Sequence, residues 1–379
     1  MTKSIQDKGV RKLLRKLTLL ALPFILWPLI EVFVLPMNFF TFRIWETISV
    51  NSMRVMSGPF YPNVHMQMVE EGELAPRTPY AQKREVEWYT DAYGYRNRDT
   101  KNDVLLIGDS NITGAKLSQD ETLASVLEQH LHRPVYSFAP ATVNRFLATD
   151  RFEEVPPKLV IVSSIERRIP ELPAVGENGI NSELRDFTGN IISSSPALTY
   201  LAVTADRISK LGLYRRTLAD MERVAGKREY INYNNEFFME GDYANRELSE
   251  EEVNRIADVL EGYRDVLQER GIEFVFLPIP NKENIYYKLL PSQKQATFLP
   301  RLMDKLQERG VAYVDLQPTF KTLYQQKQVP LYPTDDAHWN EVAVKVAANI
   351  LAKHATVAQL QATPEQKEDR LLVNFRESE

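Results

Sequence analysis

Short apolar runs alternate with amphipathic stretches from residue 101 onward. Val104–Ile107 is apolar at every position, which is typical of a strand buried on both faces of a sheet. Further short strands are predicted near Val135–Phe138 and Leu159–Val162, and later at Phe274–Pro278 and Val311–Leu316. Because strand and helix patterns alternate, the sequence predicts an α/β domain over residues 101–356, with a parallel sheet covered by helices.

The helices are predicted from the spacing of apolar residues and from their caps. Ser249 and Glu252 form a capping box at the start of one helix. Apolar residues then recur at spacings of three and four, which places one face of this helix against the core: Val253, Ile256, Leu260, Tyr263 and Leu267. Other helices are predicted around Glu121–Leu131, over roughly Gln293–Arg309 and, capped by Asn340, over about Glu341–Lys353.

Three segments interrupt this rhythm. Residues 38–100, here called the connector, mix aromatic and polar residues without periodicity, and residues 357–379 form a charged tail. Residues 170–245 form an insertion, of which 196–230 has a helical pattern with several basic residues. The simplest interpretation is a solvated helix, and the alternative is a lid or docking surface over the edge of the sheet.

The N-terminus predicts a membrane anchor. Residues 17–37 form an apolar run whose single charge is Glu31, which is long enough to cross a lipid bilayer as a helix. Residues 1–16 carry six Lys or Arg against one acid, so a cytoplasmic N-terminus and an extracytoplasmic domain are expected. No small-residue cleavage site follows, which favours an uncleaved single-pass anchor in the cell membrane. Packing of Glu31 against another membrane protein, and a cleaved or peripheral N-terminus, are the alternatives.

Composition narrows the chemistry. The chain of 379 residues has no cysteine, which excludes disulfides, thiolate catalysis and cysteine-based metal sites. It has five histidines and no HExxH pair, so no metal and no cofactor are expected. The net charge is −5, and the part after residue 16 is more acidic still, so nucleic acid is not an expected partner.

Two motifs supply candidate catalytic residues. Gly108-Asp109-Ser110 directly follows the first buried strand, so a serine hydroxyl is expected at the carboxyl edge of the sheet, where α/β proteins bind their ligands. Near the end of the domain, Asp336 and Asp335 precede His338 by two and three residues. A serine nucleophile needs a base, and the base needs a carboxylate that holds its tautomer, and either spacing supplies one.

These motifs resemble the SGNH (GDSL-like) hydrolase superfamily. The Asp-x-His-Trp-Asn form at 336–340 is most similar to the alginate O-acetyltransferases and related membrane-anchored polysaccharide acetylation proteins. The stretches 91–97 (Asp-Ala-Tyr-Gly-Tyr-Arg-Asn) and 278–286 (Pro-Ile-Pro-Asn-Lys-Glu-Asn-Ile-Tyr) resemble segments of the same branch. The resemblance covers roughly residues 88–355 and implies a flavodoxin-like parallel sheet.

The resemblance implies roles for particular residues. Ser110 matches the nucleophile, His338 the base and Asp336 the orienting acid, with Asp335 as the runner-up. Arg167, in a Glu-Arg pair, is a candidate for contacting an acyl or sugar oxygen, although a structural ion pair is an equal alternative.

The sequence also departs from the family pattern. Ala139-Pro140-Ala141 and Ser163-Ser164 stand where the oxyanion glycine and asparagine are expected. The backbone N–H groups of Ser110 and Asn111 are the remaining oxyanion candidates. In the alginate enzymes, moreover, the Asp-x-His motif precedes the serine, whereas here it follows.

The function implied is an extracytoplasmic O-acyltransferase, most simply an O-acetyltransferase, that modifies a cell-surface or secreted polysaccharide through an acyl-enzyme. The resemblance also implies a partner, a membrane-bound O-acyltransferase that supplies the acyl group. An esterase or deacetylase has the same triad and remains the alternative within enzymes. A non-catalytic scaffold of an acetylation complex is the alternative outside them.

Overall fold

A computed structural model describes residues 2–34, 43–49, 58–76, 78–177, 195, 197–198, 201, 231–354 and 357. Most of the insertion predicted at 170–245, including nearly all of its basic helical stretch, and nearly all of the charged tail lie outside these residues. The helices are α1 Thr2–Phe33, α2 Ile44–Ile48, α3 Ser110–Thr113, α4 Leu123–Leu131, α5 Val143–Leu147, α6 Glu250–Gln268, α7 Lys282–Ile285, α8 Phe298–Glu308, α9 Gln317–Lys327 and α10 Glu341–Lys353. The strands are β1 His65–Glu70, β2 Arg84–Tyr89, β3 Val104–Ile107, β4 Val135–Phe138, β5 Leu159–Ile165, β6 Ile231–Tyr233, β7 Glu236–Phe238 and β8 Glu273–Ile279.

The central sheet is parallel, as the apolar runs predict. Its strand order is β4-β3-β5-β8. A parallel bridge joins Phe276 to Tyr313 beyond β8, where the sequence predicts a fifth strand over Val311–Leu316. That strand is reduced to a bridge with two backbone hydrogen bonds, from Phe276 to Ala312 and from Val314 to Phe276. Counted with this bridge, the order is 2-1-3-4-5, the order of flavodoxin-like sheets.

Helices cover both faces of this sheet. Successive residues of a strand point to opposite faces, so Val104 and Leu106 pack in the core that holds α4 and α10, whereas Leu105 and Ile107 pack in the core that holds α6 and α8. The predicted caps are present: Ser249 and Glu252 form the capping box of α6, and the Asn340 side chain accepts hydrogen bonds from Val342 and Ala343 at the start of α10. The parallel sheet flanked by helices is confirmed.

The connector contains more structure than the sequence indicates. Its strands β1 and β2 form an antiparallel pair, which packs with α2 around a small aromatic core of Trp45, Phe60 and Trp88. Burial alternates along β1 and β2, with Met68, Val86 and Trp88 facing this core, and α2 and Phe60 of the same connector complete it.

The predicted transmembrane anchor over residues 17–37 is not borne out. Thr2–Phe33 forms one helix that begins within the basic segment and ends before the predicted run does. Within the part of the chain that the structure describes, no helix combines the length and the apolarity needed to cross a membrane.

Candidate active site

The turn after β3 places Ser110 at the carboxyl edge of the sheet. The Asp109 side chain caps α3 by accepting a hydrogen bond from the Asn111 N–H at 2.8 Å, and its other oxygen accepts one from the Ile165 N–H at 3.0 Å. Asp109 therefore ties the end of β3 to the end of β5. A Cβ atom at Gly108 would lie 2.5 Å from the Ile112 side chain and 2.9 Å from the Ser163 carbonyl, so this turn requires glycine.

The loop between α9 and α10 brings the histidine to this serine. His338 Nε2 lies 2.8 Å from Ser110 Oγ, and His338 Nδ1 lies 2.7 Å from Asp336 Oδ1. Because a carboxylate only accepts, Nδ1 carries the proton, and Nε2 is left to accept the hydrogen bond of the serine hydroxyl. The same Asp336 oxygen accepts the His338 N–H at 2.8 Å, which fixes the loop around the imidazole.

The two acids before His338 have different partners. Asp336 faces the imidazole, whereas Asp335 accepts hydrogen bonds from the backbone of Gly72 and Gln82 and pairs with Arg84 at 2.5 Å. Both carboxylates are fully buried. Asp335 therefore fastens the connector to the loop, and the runner-up assignment of Asp335 as the orienting acid does not match its position.

Charge and burial oppose each other at the His–Asp pair. Burial by itself would raise the pKa of Asp336, but the adjacent His338 outweighs it and holds that pKa well below its usual range. Burial would lower the pKa of His338, and the carboxylates of Glu73 and Asp336 together raise it above the ordinary histidine value. The site therefore favours an ionised Asp336 beside a relatively basic imidazole.

Of the two predicted backbone oxyanion donors, one is occupied elsewhere. The N–H of Asn111 donates to Asp109 at 2.8 Å, and its Nδ2 donates to the same oxygen at 3.2 Å, so the backbone N–H of Asn111 is not available as an oxyanion donor. The Ala141 N–H donates to the Gly108 carbonyl, and Pro140 has no N–H to offer. The Ser110 N–H, at the first position of α3, has no acceptor within its helix and is the remaining backbone candidate.

Glu166 and Arg167 do not pair with each other. Glu166 is buried and accepts hydrogen bonds from the Asn281 N–H at 2.9 Å and from the Asn284 side chain at 2.7 Å. Burial raises the pKa of Glu166 to about 7. Arg167 contacts the Asn281 side chain through its own N–H at 3.2 Å. The pair therefore fixes α7 to the end of β5, and the structure shows no direct contact of Arg167 with Ser110.

Two residues for which the sequence analysis predicts no role lie next to the loop that carries Asp336 and His338. Lys282 Nζ donates to the carbonyls of Pro333, Thr334 and Asp336 at 2.5–3.3 Å and pairs with Glu236 at 2.7 Å. Lys282 belongs to the motif at 278–286, and that motif is the sequence feature that could have pointed to it. Glu73 lies in the connector, and its Oε1 is 3.6 Å from His338 Nδ1. Nothing local in the sequence distinguishes Glu73 from its acidic neighbours.

Glu73, Asp336 and His338 also bring one potential metal-ligand atom each to within 4.8 Å of one another. A histidine nitrogen that donates its proton to Asp336 has no lone pair for a metal ion. The hydrogen-bonded arrangement therefore fits proton transfer better than metal binding.

Two clefts lie beside the turn formed by Gly108, Asp109 and Ser110. Ser110 and His338 open onto a cleft of about 190 Å³ that is also lined by Trp45, Trp88 and Ala115. Gly108 and Asp109 line a second cleft of about 660 Å³, whose wall includes Trp45 and several other aromatic residues. The second volume lies within the range of about 300–1,000 Å³ that is common for small-molecule sites, and the first is smaller.

Comparison with known proteins supports the resemblance seen in the motifs. Residues 236–372 match the family model described as the SGNH hydrolase-like domain of acetyltransferase AlgX. The match includes Asp336 and His338 but not Ser110. The resemblance to SGNH proteins of the AlgX type is thereby confirmed, and the chain has an SGNH-like α/β fold. No curated protein matches the chain.

Solved structures show distant similarity. An acetyl xylan esterase, AlAXEase, is 10% identical, with 66% of this chain and 98% of that chain covered and a TM-score of 0.33. A GDSL-like lipase candidate from Parabacteroides merdae ATCC 43184 is 11% identical, with 68% and 97% covered and a TM-score of 0.32. LAE5, an α/β hydrolase enzyme from the metagenome of Lake Arreo, Spain, is 14% identical, with 68% and 96% covered and a TM-score of 0.31. At TM-scores this low, these similarities carry no conclusion about this chain.

Proposed function

We propose that this protein is an extracytoplasmic serine-dependent O-acyltransferase, most simply an O-acetyltransferase, that acts on a cell-surface or secreted polysaccharide. The observation that carries the proposal is the hydrogen-bonded chain from Ser110 through His338 to Asp336, which opens onto a small cleft. The match to an acetyltransferase domain supports acetyl as the group that is transferred.

In the first half-reaction, His338 Nε2 takes the proton of Ser110 as Oγ attacks the acyl carbonyl of the donor. The tetrahedral intermediate places its negative oxygen near the Ser110 N–H. The imidazolium then returns the proton to the leaving group, and the bond between the carbonyl carbon and the leaving group breaks. An ester between Ser110 and the acyl group is left.

In the second half-reaction, a hydroxyl of the polysaccharide takes the place of the leaving group. His338 Nε2 removes its proton, the sugar oxygen attacks the ester carbonyl, and Ser110 recovers the proton as its bond to the acyl carbon breaks. Asp336 stays ionised throughout and stabilises the imidazolium. With water in place of the sugar, the same steps give an esterase.

The acceptor is proposed to bind in the cleft of about 660 Å³, which is lined by Gly108 and Asp109, the two residues before Ser110. The acyl group would come from a membrane-bound O-acyltransferase, the partner that the family resemblance implies.

The test measures O-acetylation of surface polysaccharide in cells that carry wild type or Ser110→Ala at matched protein levels. Ser292→Ala, at an exposed serine that lines neither cleft, is the matched control. Loss of acetyl groups with Ser110→Ala alone is the expected result. Increased acetylation would identify a deacetylase instead. Unchanged acetylation with Ser110→Ala, together with loss on deletion of the whole protein, would leave a scaffold.

A further inference from the structure

A second carboxylate faces the imidazole of His338. Glu73 Oε1 lies 3.6 Å from Nδ1, on the side where Asp336 Oδ1 already accepts at 2.7 Å. This Glu73 oxygen is buried, and it accepts no hydrogen bond from the described residues. A buried carboxylate oxygen without a donor is costly unless a positive charge compensates it. The imidazole lies 3.6 Å from this oxygen, and Arg43 binds the other oxygen of the same carboxylate.

The backbone holds Glu73 in this position. Its N–H donates to Asp336 Oδ2 at 2.9 Å, and the next N–H, of Leu74, donates to the Asp335 carbonyl at 3.0 Å. Gly72 N–H donates to the Asp335 side chain at 3.0 Å. The segment 72–74 therefore lies along the loop that carries Asp336 and His338, and its side chain is directed at the base by main-chain contacts.

Arg43, just before α2, orients the Glu73 side chain. Its Nη1 pairs with Glu73 Oε2 at 3.2 Å, so the oxygen that faces away from the histidine is the one that binds the arginine. The other oxygen of this carboxylate, Oε1, therefore faces His338 Nδ1. Both Arg43 and Glu73 line the cleft onto which Ser110 and His338 open.

We propose that Glu73, oriented by Arg43, is a positioning residue of the catalytic base: its carboxylate stabilises the imidazolium of His338 while Ser110 is deprotonated. This inference rests on the proposed function for its catalytic meaning, but the electrostatic contact exists whether or not the protein turns over a substrate. It also makes the connector, which the sequence treats as a spacer, a part of the active site.

Other acids near this site, like Glu73, have close cationic partners. Glu70 pairs with Lys116 at 3.4 Å, and Asp335 pairs with Arg84 at 2.5 Å. Burial lowers the pKa of His338, the carboxylates of Glu73 and Asp336 both raise it, and the positive charge of Arg167, from the segment after β5, lowers it. Removal of the Glu73 charge is therefore expected to leave a weaker base.

The experiment titrates His338 by NMR in the Ser110→Ala protein, with the imidazole signal assigned from a His338→Gln sample. Glu73→Gln keeps the size of the side chain and removes its charge. It is expected to lower the pKa of His338 by about one unit, as the loss of an adjacent opposite charge does. Glu73→Asp keeps the charge and is expected to recover part of the shift. Glu85→Gln, which neutralises an exposed carboxylate of β2, is the control for net charge.

The second readout is the pH dependence of kcat/KM for p-nitrophenyl acetate in the protein with Ser110 intact. Because the base must be neutral to act, a lower His338 pKa moves the acidic limb of the profile to lower pH with Glu73→Gln. A change in both readouts supports the inference. If Glu73→Gln lowers the pKa of His338 but the protein with Ser110 intact shows no measurable turnover, the contact between Glu73 and His338 is supported and the proposed function is refuted. An unchanged His338 titration in folded Glu73→Gln protein would overturn the inference, even if activity fell.

Discussion

Lys282 offers the sharpest test of how the active-site loop is held. Its side chain is buried, and its ammonium group donates to three main-chain carbonyls of the loop and pairs with Glu236. Three donors are all that an ammonium has, and here they are shared among four oxygen acceptors. Replacement by methionine, Lys282→Met, keeps most of the chain length and removes every one of these contacts.

The expected cost follows from what is left behind. The Glu236 carboxylate, with its side chain 14% exposed, loses its cation, and the loop carbonyls lose their donor. Breaking a buried ion pair by removing one partner typically costs about 3–5 kcal/mol. We therefore expect Lys282→Met to lower the free energy of unfolding by about that amount and to abolish activity, since the same loop carries Asp336 and His338.

Urea denaturation measures the change in the free energy of unfolding caused by Lys282→Met, and two further variants serve as controls. Lys288→Met, at an exposed lysine of the next turn, is expected to change the free energy of unfolding by less than about 0.5 kcal/mol. The double variant Lys282→Met/Glu236→Gln removes the orphaned charge and is expected to recover part of the loss. A cost below about 1 kcal/mol for Lys282→Met, or a double variant no more stable than the single one, would refute the reasoning.

Four further outcomes are expected. Asp336→Asn should reduce kcat for p-nitrophenyl acetate by about 10⁴-fold, because the imidazole loses the partner that fixes its tautomer. Asp335→Asn should instead lower the free energy of unfolding in urea, with kcat per folded molecule retained, because Asp335 binds the connector. Burial raises the pKa of Glu166 to about 7, so the folded state retains a proton that the unfolded state has lost. The free energy of unfolding should therefore fall by roughly 3 kcal/mol as the pH rises from about 4.5 to 7. Glu166→Gln should remove this pH dependence when denaturation at pH 5 is compared with denaturation at pH 8. Gly72→Ala should lower thermal stability and activity together, because its Cβ would lie 2.2 Å from the Asp335 carbonyl oxygen.

Local pattern was enough to predict most of the α/β core. A continuous apolar run such as Val104–Ile107 is stable only where helices cover both faces of a sheet, and the capping residues of α6 and α10 satisfy donors within their own helices. The fifth strand, predicted over Val311–Leu316, is only a single bridge in the structure. An apolar run does not show how many backbone hydrogen bonds its residues form with a neighbouring strand. The connector strands were missed, although their core is made from residues 44–88 of the connector itself.

The sequence by itself determined which residue types can perform the chemistry. It singled out Ser110, His338 and a carboxylate beside it, since a serine after a buried strand and an acid close to a histidine are local features. Only the tertiary structure decided between the two acids. Asp335 and Asp336 have almost the same spacing to His338, but Gly72, Gln82 and Arg84 of the connector bind the side chain of Asp335, whereas that of Asp336 faces the imidazole.

The tertiary structure also decided the contacts that complete the site. Ser110 and His338 are 228 residues apart in the chain and 2.8 Å apart in the fold, and the Glu73 N–H reaches Asp336 across 263 residues. Such contacts depend on how the connector packs against the loop before α10. A local sequence pattern records the chemistry of each side chain and the face on which it lies. It does not record which distant segment is packed beside it, and that packing sets the electrostatic environment of the base.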